Sequence, residues 1–188
     1  VPGSTGVLMN KSNLFIIFSF TSFLIAGEIS VSISENLVND YLGLIGDHQI
    51  PKGKNNEQAL WSINNPHVKF QEGSAEFFAT VSYQKGKTNI KKSVTKNMYV
   101  EYNFDKNIIQ LMIENPIVKM ERKEGALGKI DISSLYQQGL KFQGPRPKAE
   151  SFKLKTRKGR IKIDMNIKKS IIYFEPGVVR VAIELDYK

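Results

Sequence analysis

The chain has 188 residues, enough to bury a substantial core in a single domain. It has no cysteine, which excludes disulfides, thiolate metal sites and cysteine nucleophiles and is compatible with an oxidising compartment. The net charge of +9 favours anionic partners such as lipid head groups, lipopolysaccharide or nucleic acid, although a protein can also be basic without such a partner.

The N-terminal region has the pattern of a secretory signal. Lys11 supplies a short positive start, residues 14–26 are mainly apolar, and Ala26 and Gly27 are small, as at a cleavage site. The run is shorter than the roughly 20 residues that span a bilayer. We therefore expect cleavage, with a retained N-terminal anchor as the alternative.

The signal divides the chain into three parts. Residues 1–8 precede the initiator Met9 and are interpreted as an upstream extension, residues 9–27 as the signal peptide, and residues 28–188 as one exported domain. Glu28 stands where a bacterial lipoprotein carries its lipidated cysteine. This predicts a mature chain that is soluble, in the periplasm or secreted.

A strand and a helix open the mature chain. Residues 29–33 are predicted to form a short strand, and Ser32 with Glu35 fits a capping box. Gly46 ends the helix, and the polar segment 47–58 is predicted to be a loop. One apolar face recurs at helical spacing: Leu37, Val38, Tyr41, Leu42 and Ile45.

From Trp61 onward, apolar and polar residues alternate as in half-buried strands. Pro116 predicts an edge or a bulge in its strand. Residues 121–128 are interpreted as a connection, and a short helix is predicted within 132–142. The predicted strands are 75–83, 98–104, 108–120, 150–157, 160–168 and 171–187.

Two segments of the chain match each other. Residues 63–83 align without a gap with residues 167–187, at an offset of 104, and the apolar positions are in phase. The pattern predicts one hairpin with a glycine turn, used twice, although two amphipathic hairpins can also align by chance. The identical pairs are Ile63/Ile167, Phe70/Phe174, Gly73/Gly177 and Tyr83/Tyr187.

Three stretches carry a resemblance to a known family: ISENLVNDYL (33–42), the strand-turn-strand 100–113, and FEPGVVRV (174–181). Their order resembles the TULIP superfamily of tubular lipid-binding proteins, and in particular its small bacterial envelope proteins and lipoproteins. The resemblance implies an α+β fold in which a strongly curved antiparallel sheet wraps around one or two helices, with two related halves.

The same resemblance implies a groove or tunnel between helix and sheet that holds an acyl chain. Leu37, Tyr41, Phe77 and Phe104 are then the candidate liners. The alternative for each is an ordinary place in the core, since apolar stripes normally close a core.

The sequence carries no catalytic or metal-binding signature. His48 and His67 are the only histidines and do not belong to a cluster with ligand spacing. There is no Gly-x-Ser-x-Gly elbow, and the glycines of segment 125–129 are too close together for a phosphate-binding loop. We therefore expect no catalysis, no metal and no cofactor.

Basic residues alternate along two predicted strands near the C-terminus. They are Lys153, Lys155 and Arg157 on the first strand, and Arg160 and Lys162 on the second, whose outward face also includes Lys168. One interpretation is docking to an anionic membrane or lipopolysaccharide, at about 1 kcal/mol per basic residue. The other is protection of a sheet from aggregation. Nucleic acid is disfavoured because Phe152 is the only aromatic residue between 150 and 168.

The sequence thus predicts an exported envelope protein that binds a lipid or other hydrophobic molecule in a groove between helix and curved sheet. The alternative is a binding or assembly module without a ligand cavity, which docks on anionic surfaces through its basic sheet face.

Overall fold

The computed structural model describes residues 28–53, 58–123, 125–136, 140–148 and 151–188. The predicted signal peptide (9–27) and the upstream extension (1–8) lie outside the described residues. Within these ranges no helix has the length and apolar character needed to cross a membrane.

The described chain is mostly antiparallel β-structure with two short helices. In chain order its elements are β1 (Glu28–Ser34), α1 (Glu35–Ile45), β2 (His48–Lys52), β3 (Ala59–Gln71), β4 (Ser74–Lys85), β5 (Thr88–Asn103), β6 (Ile108–Ile113), β7 (Ile117–Arg122), β8 (Gly125–Asp131), α2 (Ser133–Tyr136), β9 (Lys141–Gln143), β10 (Ser151–Thr156), β11 (Gly159–Glu175) and β12 (Val178–Tyr187).

Two large sheets curl strongly into half-barrels, which confirms the predicted class of a curved antiparallel sheet around a helix. One sheet has the strand order β1-β12-β11-β10 and the other β2-β3-β4-β5-β6-β9, while β7 and β8 form a separate ribbon. A single core joins the inner faces of both sheets, and α1 contributes the fully buried Val38 and Leu42 to it.

Helix α1 begins two residues later than the predicted capping box. Ser34 is the N-cap, and its Oγ accepts a hydrogen bond from the Leu37 backbone N–H at 3.1 Å. Ser32 cannot cap the helix because β1 continues through it, paired with β12. Glu35 is therefore free for another partner, and its carboxylate accepts a hydrogen bond from the Phe70 N–H at 2.7 Å. Gly46 ends the helix as predicted, with φ 67°.

Two segments predicted as irregular are strands. Part of the predicted loop 47–58 forms β2, and most of the predicted connection 121–128 belongs to β7 and β8. Neither has an alternating apolar pattern of its own, and each is held as a strand by pairing with a neighbour: β2 with β3, and β8 with β7.

Several predicted strand boundaries are also wrong. Residues 171–187 are not one strand, because a glycine turn separates β11 from β12. Pro116 separates β6 from β7, which lie in different sheets, so residues 108–120 are not one strand. In contrast, β11 runs unbroken from Gly159 to Glu175, because the irregularity near Lys168 is a bulge rather than a turn.

The two matching segments form hairpins with the same register. Phe70 pairs with Ala75 in the first hairpin, and Phe174 pairs with Val179 in the second, at positions 104 residues apart. Their glycine turns have nearly equal positive φ angles, 72° at Gly73 and 77° at Gly177. The repeat therefore holds at the level of backbone pairing.

The two turns also bond to each other reciprocally. The Gly73 N–H donates to the Phe174 carbonyl at 3.0 Å, and the Gly177 N–H donates to the Phe70 carbonyl at 3.1 Å. The rings of Phe70 and Phe174 lie 6.4 Å apart between them. Each half thus offers the same two groups to the other, as expected at a local two-fold axis.

Candidate functional site

Equivalent apolar positions of the two hairpins differ in burial. In the first hairpin Trp61 is 2% exposed and Tyr83 5% exposed. Their counterparts 104 residues later are Met165, which is only partly buried, and Tyr187, which is 51% exposed. The apolar face is closed at this end of the first half and open at the same end of the second.

The cover over Trp61 comes from strands that lack a matching pattern in the second half. A Cβ atom at Gly128, in β8, would lie only 3.1 Å from the Trp61 ring, so the two elements are in close contact. The Lys52 ammonium of β2 lies 5.9 Å from the centre of the same ring. The hollow of about 350 Å³ at this end has a basic rim that includes Lys85 and Lys129. The bottom of this hollow is formed by buried core residues, including Trp61 and Tyr83.

At the corresponding end of the second half, the described residues leave an open groove of about 440 Å³, here termed the C-terminal groove. Its apolar lining comes from strands β11 and β12 and from two residues of the neighbouring loops. The lining residues are Phe104, Arg146, Pro147, Asp164, Met165, Asn166, Ile167, Lys168, Lys169 and Leu185.

Two ammonium groups at the groove share one carboxylate. Lys168 Nζ lies 2.8 Å from Glu184 Oε1, and Lys169 Nζ lies 3.7 Å from Glu184 Oε2. The hydrogen bond that Lys168 donates to Glu184 raises the pKa of Lys168 and lowers the pKa of Glu184. Among the residues that line the groove, Arg146, Lys168 and Lys169 are basic and Asp164 is acidic, so the lining carries an excess of positive charge at neutral pH.

A network around Asn107 holds the loop wall of the groove. Asn107 Oδ1 accepts hydrogen bonds from the Tyr102 hydroxyl at 2.8 Å and from the Arg146 N–H at 3.0 Å. Arg146 Nη1 donates to the Phe104 carbonyl at 3.2 Å. A side chain at Gly144 would collide with Asn107 and Tyr102. The wall is therefore a fixed part of the fold, and burial raises the pKa of Tyr102 within it.

The four predicted ligand liners do not come together around this groove. Phe104 lines it and is 41% exposed, whereas Phe77 is fully buried, with its ring centre 5.4 Å from that of Tyr136. Leu37 is 51% exposed on α1, and Tyr41 is partly buried against the core. Neither residue of α1 lines the groove.

Sequence reasoning missed Met165, Ile167, Leu185 and the two lysines as site residues. The repeat contained a usable signal, because Met165 and Ile167 align with Trp61 and Ile63. The repeat did not reveal which of the two hairpins is covered by other strands. That difference depends on β2 and β8, whose segments were predicted to be a loop and a connection.

Four of the predicted anion-binding residues share one face of the β10–β11 hairpin. Lys153 pairs with Lys162, and Lys155 pairs with Arg160, so each pair points to the same side. Arg157 lies in the turn between the strands. All five are exposed, and Lys162 also forms an ion pair with Asp164 at 2.6 Å.

The ionisable groups elsewhere do not form a reactive cluster. In the part of the chain that the structure describes, no group of three or more metal-ligating side chains comes together. His67 stacks on Phe78, with the ring centres 5.1 Å apart.

Comparisons with protein-family models, with curated proteins and with solved structures give no match.

Proposed function

We propose that this chain binds an amphipathic ligand with an apolar body and an anionic head, such as a fatty acid or a phospholipid, in the C-terminal groove. The observation that carries this is the open apolar face of the second half. Trp61 and Tyr83 are buried in the first half, whereas their counterpart Met165 lines the groove and their counterpart Tyr187 is exposed.

The dimensions and lining of the groove support a small ligand. Its volume of about 440 Å³ falls in the range of roughly 300–1,000 Å³ that is typical of ligand sites. Met165, Ile167 and Leu185 offer an apolar surface, and burial of apolar area stabilises a complex by about 25 cal/mol per Å².

The charged rim favours an anionic head group. The groove lining has three basic residues, Arg146, Lys168 and Lys169, and one acidic residue, Asp164, so a carboxylate or a phosphate can approach it favourably. The pKa shifts of Lys168 and Glu184 keep both groups charged near neutral pH. Such groups suit binding rather than proton transfer, and the proposed activity includes no chemical step.

The groove is tested by titrating the full chain with a fluorescent fatty acid. Met165→Asp places a carboxylate on the apolar lining and is expected to raise the Kd at least about tenfold, the cost of leaving a charge on an apolar surface. Leu44→Asp is the matched control, since Leu44 is 86% exposed on α1, away from the groove. Equal affinity of the Met165→Asp and Leu44→Asp variants would contradict the proposed site.

The head-group preference has its own test. The wild-type chain is expected to prefer a fatty acid over the fatty alcohol of the same length. The double variant Lys168→Gln/Lys169→Gln is expected to lose that preference while still binding the alcohol. The control Lys85→Gln/Lys87→Gln removes two exposed lysines far along the chain from the groove lining. A preference that survives in the groove variant would exclude the two lysines as the head-group site.

A further inference from the structure

The β10–β11 hairpin projects beyond the sheet to which it belongs. Lys188, next to β12, exchanges two backbone hydrogen bonds with Asp164, at 2.8 and 3.0 Å. From Ile163 outward, β11 pairs with β10 alone. Every residue from 152 to 162 is exposed. This segment, here termed the projecting ribbon, therefore has neither face covered by other parts of the chain that the structure describes.

The ribbon is regular despite this exposure. Its backbone pairs in register from Ser151↔Asp164 to Thr156↔Gly159, and the Thr156 hydroxyl donates to the Gly159 carbonyl at 2.9 Å. A two-stranded ribbon is only marginally stable alone in water. A partner that covers one face would remove this weakness.

The two faces of the ribbon have opposite chemistry. Phe152 pairs with Ile163, and Leu154 pairs with Ile161, so these four apolar side chains share one face. Phe152, Leu154 and Ile161 are 39%, 46% and 52% exposed. The other face carries Lys153, Lys155, Arg160 and Lys162.

The charge of the ribbon is of one sign. Residues 152–163 contain six basic residues and no acidic one: Lys153, Lys155, Arg157, Lys158, Arg160 and Lys162. A purely apolar partner would leave this charge without a counterpart, and a purely anionic partner would leave the apolar face in water. An anionic lipid bilayer offers both an acyl layer and a layer of negative head groups.

We propose that the projecting ribbon docks this protein on the surface of an anionic lipid bilayer. Phe152, Leu154 and Ile161 enter the boundary between head groups and acyl chains, as the apolar face of an interfacial amphipathic helix does. The lysines and arginines lie at the level of the lipid phosphates, and their long side chains reach past the edge strand β10.

This docking goes beyond the proposed ligand binding and is related to it by position. Met165 and Ile167 line the C-terminal groove and continue the alternation of Ile161 and Ile163 along β11. The inserted face of the ribbon and the lining of the groove are thus one continuous side of the strand. A docked ribbon would present that side to the bilayer.

Docking is tested by sedimentation of the full chain with vesicles. Retention is expected on vesicles of equal parts phosphatidylcholine and phosphatidylglycerol, weak on phosphatidylcholine alone, and reduced by salt. Lys153→Glu/Lys155→Glu is expected to lower the partition coefficient at least about tenfold, given a roughly fivefold contribution of each cation. Lys85→Glu/Lys87→Glu, the control on β4 and its turn, is expected to reduce it less.

Insertion of the apolar face is tested separately from charge. Leu154→Ser/Ile161→Ser keeps every cation and is expected to lower the partition coefficient at least about tenfold, since two buried apolar side chains are lost. Leu44→Ser is the control. In a Leu154→Trp variant the added indole is expected to shift its emission to shorter wavelength on vesicles, against the constant signal of buried Trp61.

Three results would overturn the docking proposal. They are equal retention on neutral and anionic vesicles, full retention of the Leu154→Ser/Ile161→Ser variant, or a dimer in solution that this variant dissociates, which would identify a second copy as the cover. Failure of the fatty-acid titration with vesicle binding intact would reject only the groove. Vesicle binding lost with fatty-acid binding intact would reject only the ribbon.

Discussion

The two halves of this protein repeat the same hairpin with the same register, yet one hairpin is sealed and the other is open. Trp61 and Tyr83 lie under cover at one end of the first hairpin, whereas their counterpart Met165 lines an accessible groove and their counterpart Tyr187 is 51% exposed. The strand pattern sets which side chains point inward. What lies over them decides whether that side becomes core or binding surface.

The comparison is tested most strongly by removing equivalent side chains. Trp61→Ala is expected to lower the free energy of unfolding by about 3–5 kcal/mol, because it leaves a cavity under β8. Met165→Ala is expected to cost about 1 kcal/mol, since its site is already open to solvent. Urea unfolding of both variants measures the difference. Similar losses would mean that the second half is as closed as the first.

The glycine turns should, in contrast, respond alike. Gly73→Ala and Gly177→Ala each place a side chain at a positive φ and are expected to cost about 1–2 kcal/mol of unfolding free energy. A Cβ at either position would meet nothing within 4 Å, so the cost is conformational only. Gly43→Ala inside α1 is the control and is expected to stabilise by about 1 kcal/mol. A different loss of stability in the two turn variants, measured by thermal unfolding, would contradict the equivalence of the two halves.

One buried polar group in the closed part of the core lowers the stability of the protein. The Tyr136 hydroxyl is buried and finds no hydrogen-bond partner within the described residues. Tyr136→Phe is therefore expected to stabilise the protein by about 1 kcal/mol near neutral pH, as measured by urea unfolding. Destabilisation would reveal a partner for this hydroxyl.

Tyr136 also makes the stability of the protein depend on pH in the alkaline range. Burial, with a smaller contribution from the carboxylate of Asp47, raises the pKa of Tyr136 from 10.0 to about 12. Between these values the folded chain keeps a proton that the unfolded chain releases, so stability falls as the pH rises through this window. Thermal unfolding should show a smaller alkaline loss in Tyr136→Phe than in the wild type.

The smallest expected effect concerns the ion pair between Lys168 and Glu184 in the second half. Lys168 lowers the pKa of Glu184, so the stabilising contribution of this carboxylate is present above its ordinary pKa near 4.5 and is lost as the pH falls through its lower folded value. The equivalent position in the sealed half is Thr80, which has no charge. Glu184→Gln should weaken the acid dependence of thermal unfolding slightly, and Glu72→Gln, at an exposed site, is the control. An unchanged acid profile would exclude this ion pair as a contributor.

Sequence patterns predicted those parts of the fold that depend on local alternation. The helix Glu35–Ile45 and the hairpins turning at Gly73 and Gly177 follow from spacing and turn chemistry. Strand β2 could not be predicted in this way, because its own pattern is irregular and its pairing with β3 holds it as a strand.

The candidate site was less accessible from sequence for a related reason. Phe104 was identified as a candidate liner and lines the groove, but Phe77 has the same alternating pattern and lies in the closed core. A period of two tells which side a residue faces and not whether another element lies over it.

The reciprocal bonds between the two glycine turns restrict how this chain can vary in length. One extra residue in either turn would displace a bonded group by about one strand step, roughly 3.3 Å. Both bonds would be strained together, because each turn supplies the donor of one and lies next to the acceptor of the other. Side chains of the halves can thus diverge widely, while insertions and deletions at Gly73 or Gly177 are tolerated only if both turns change in concert.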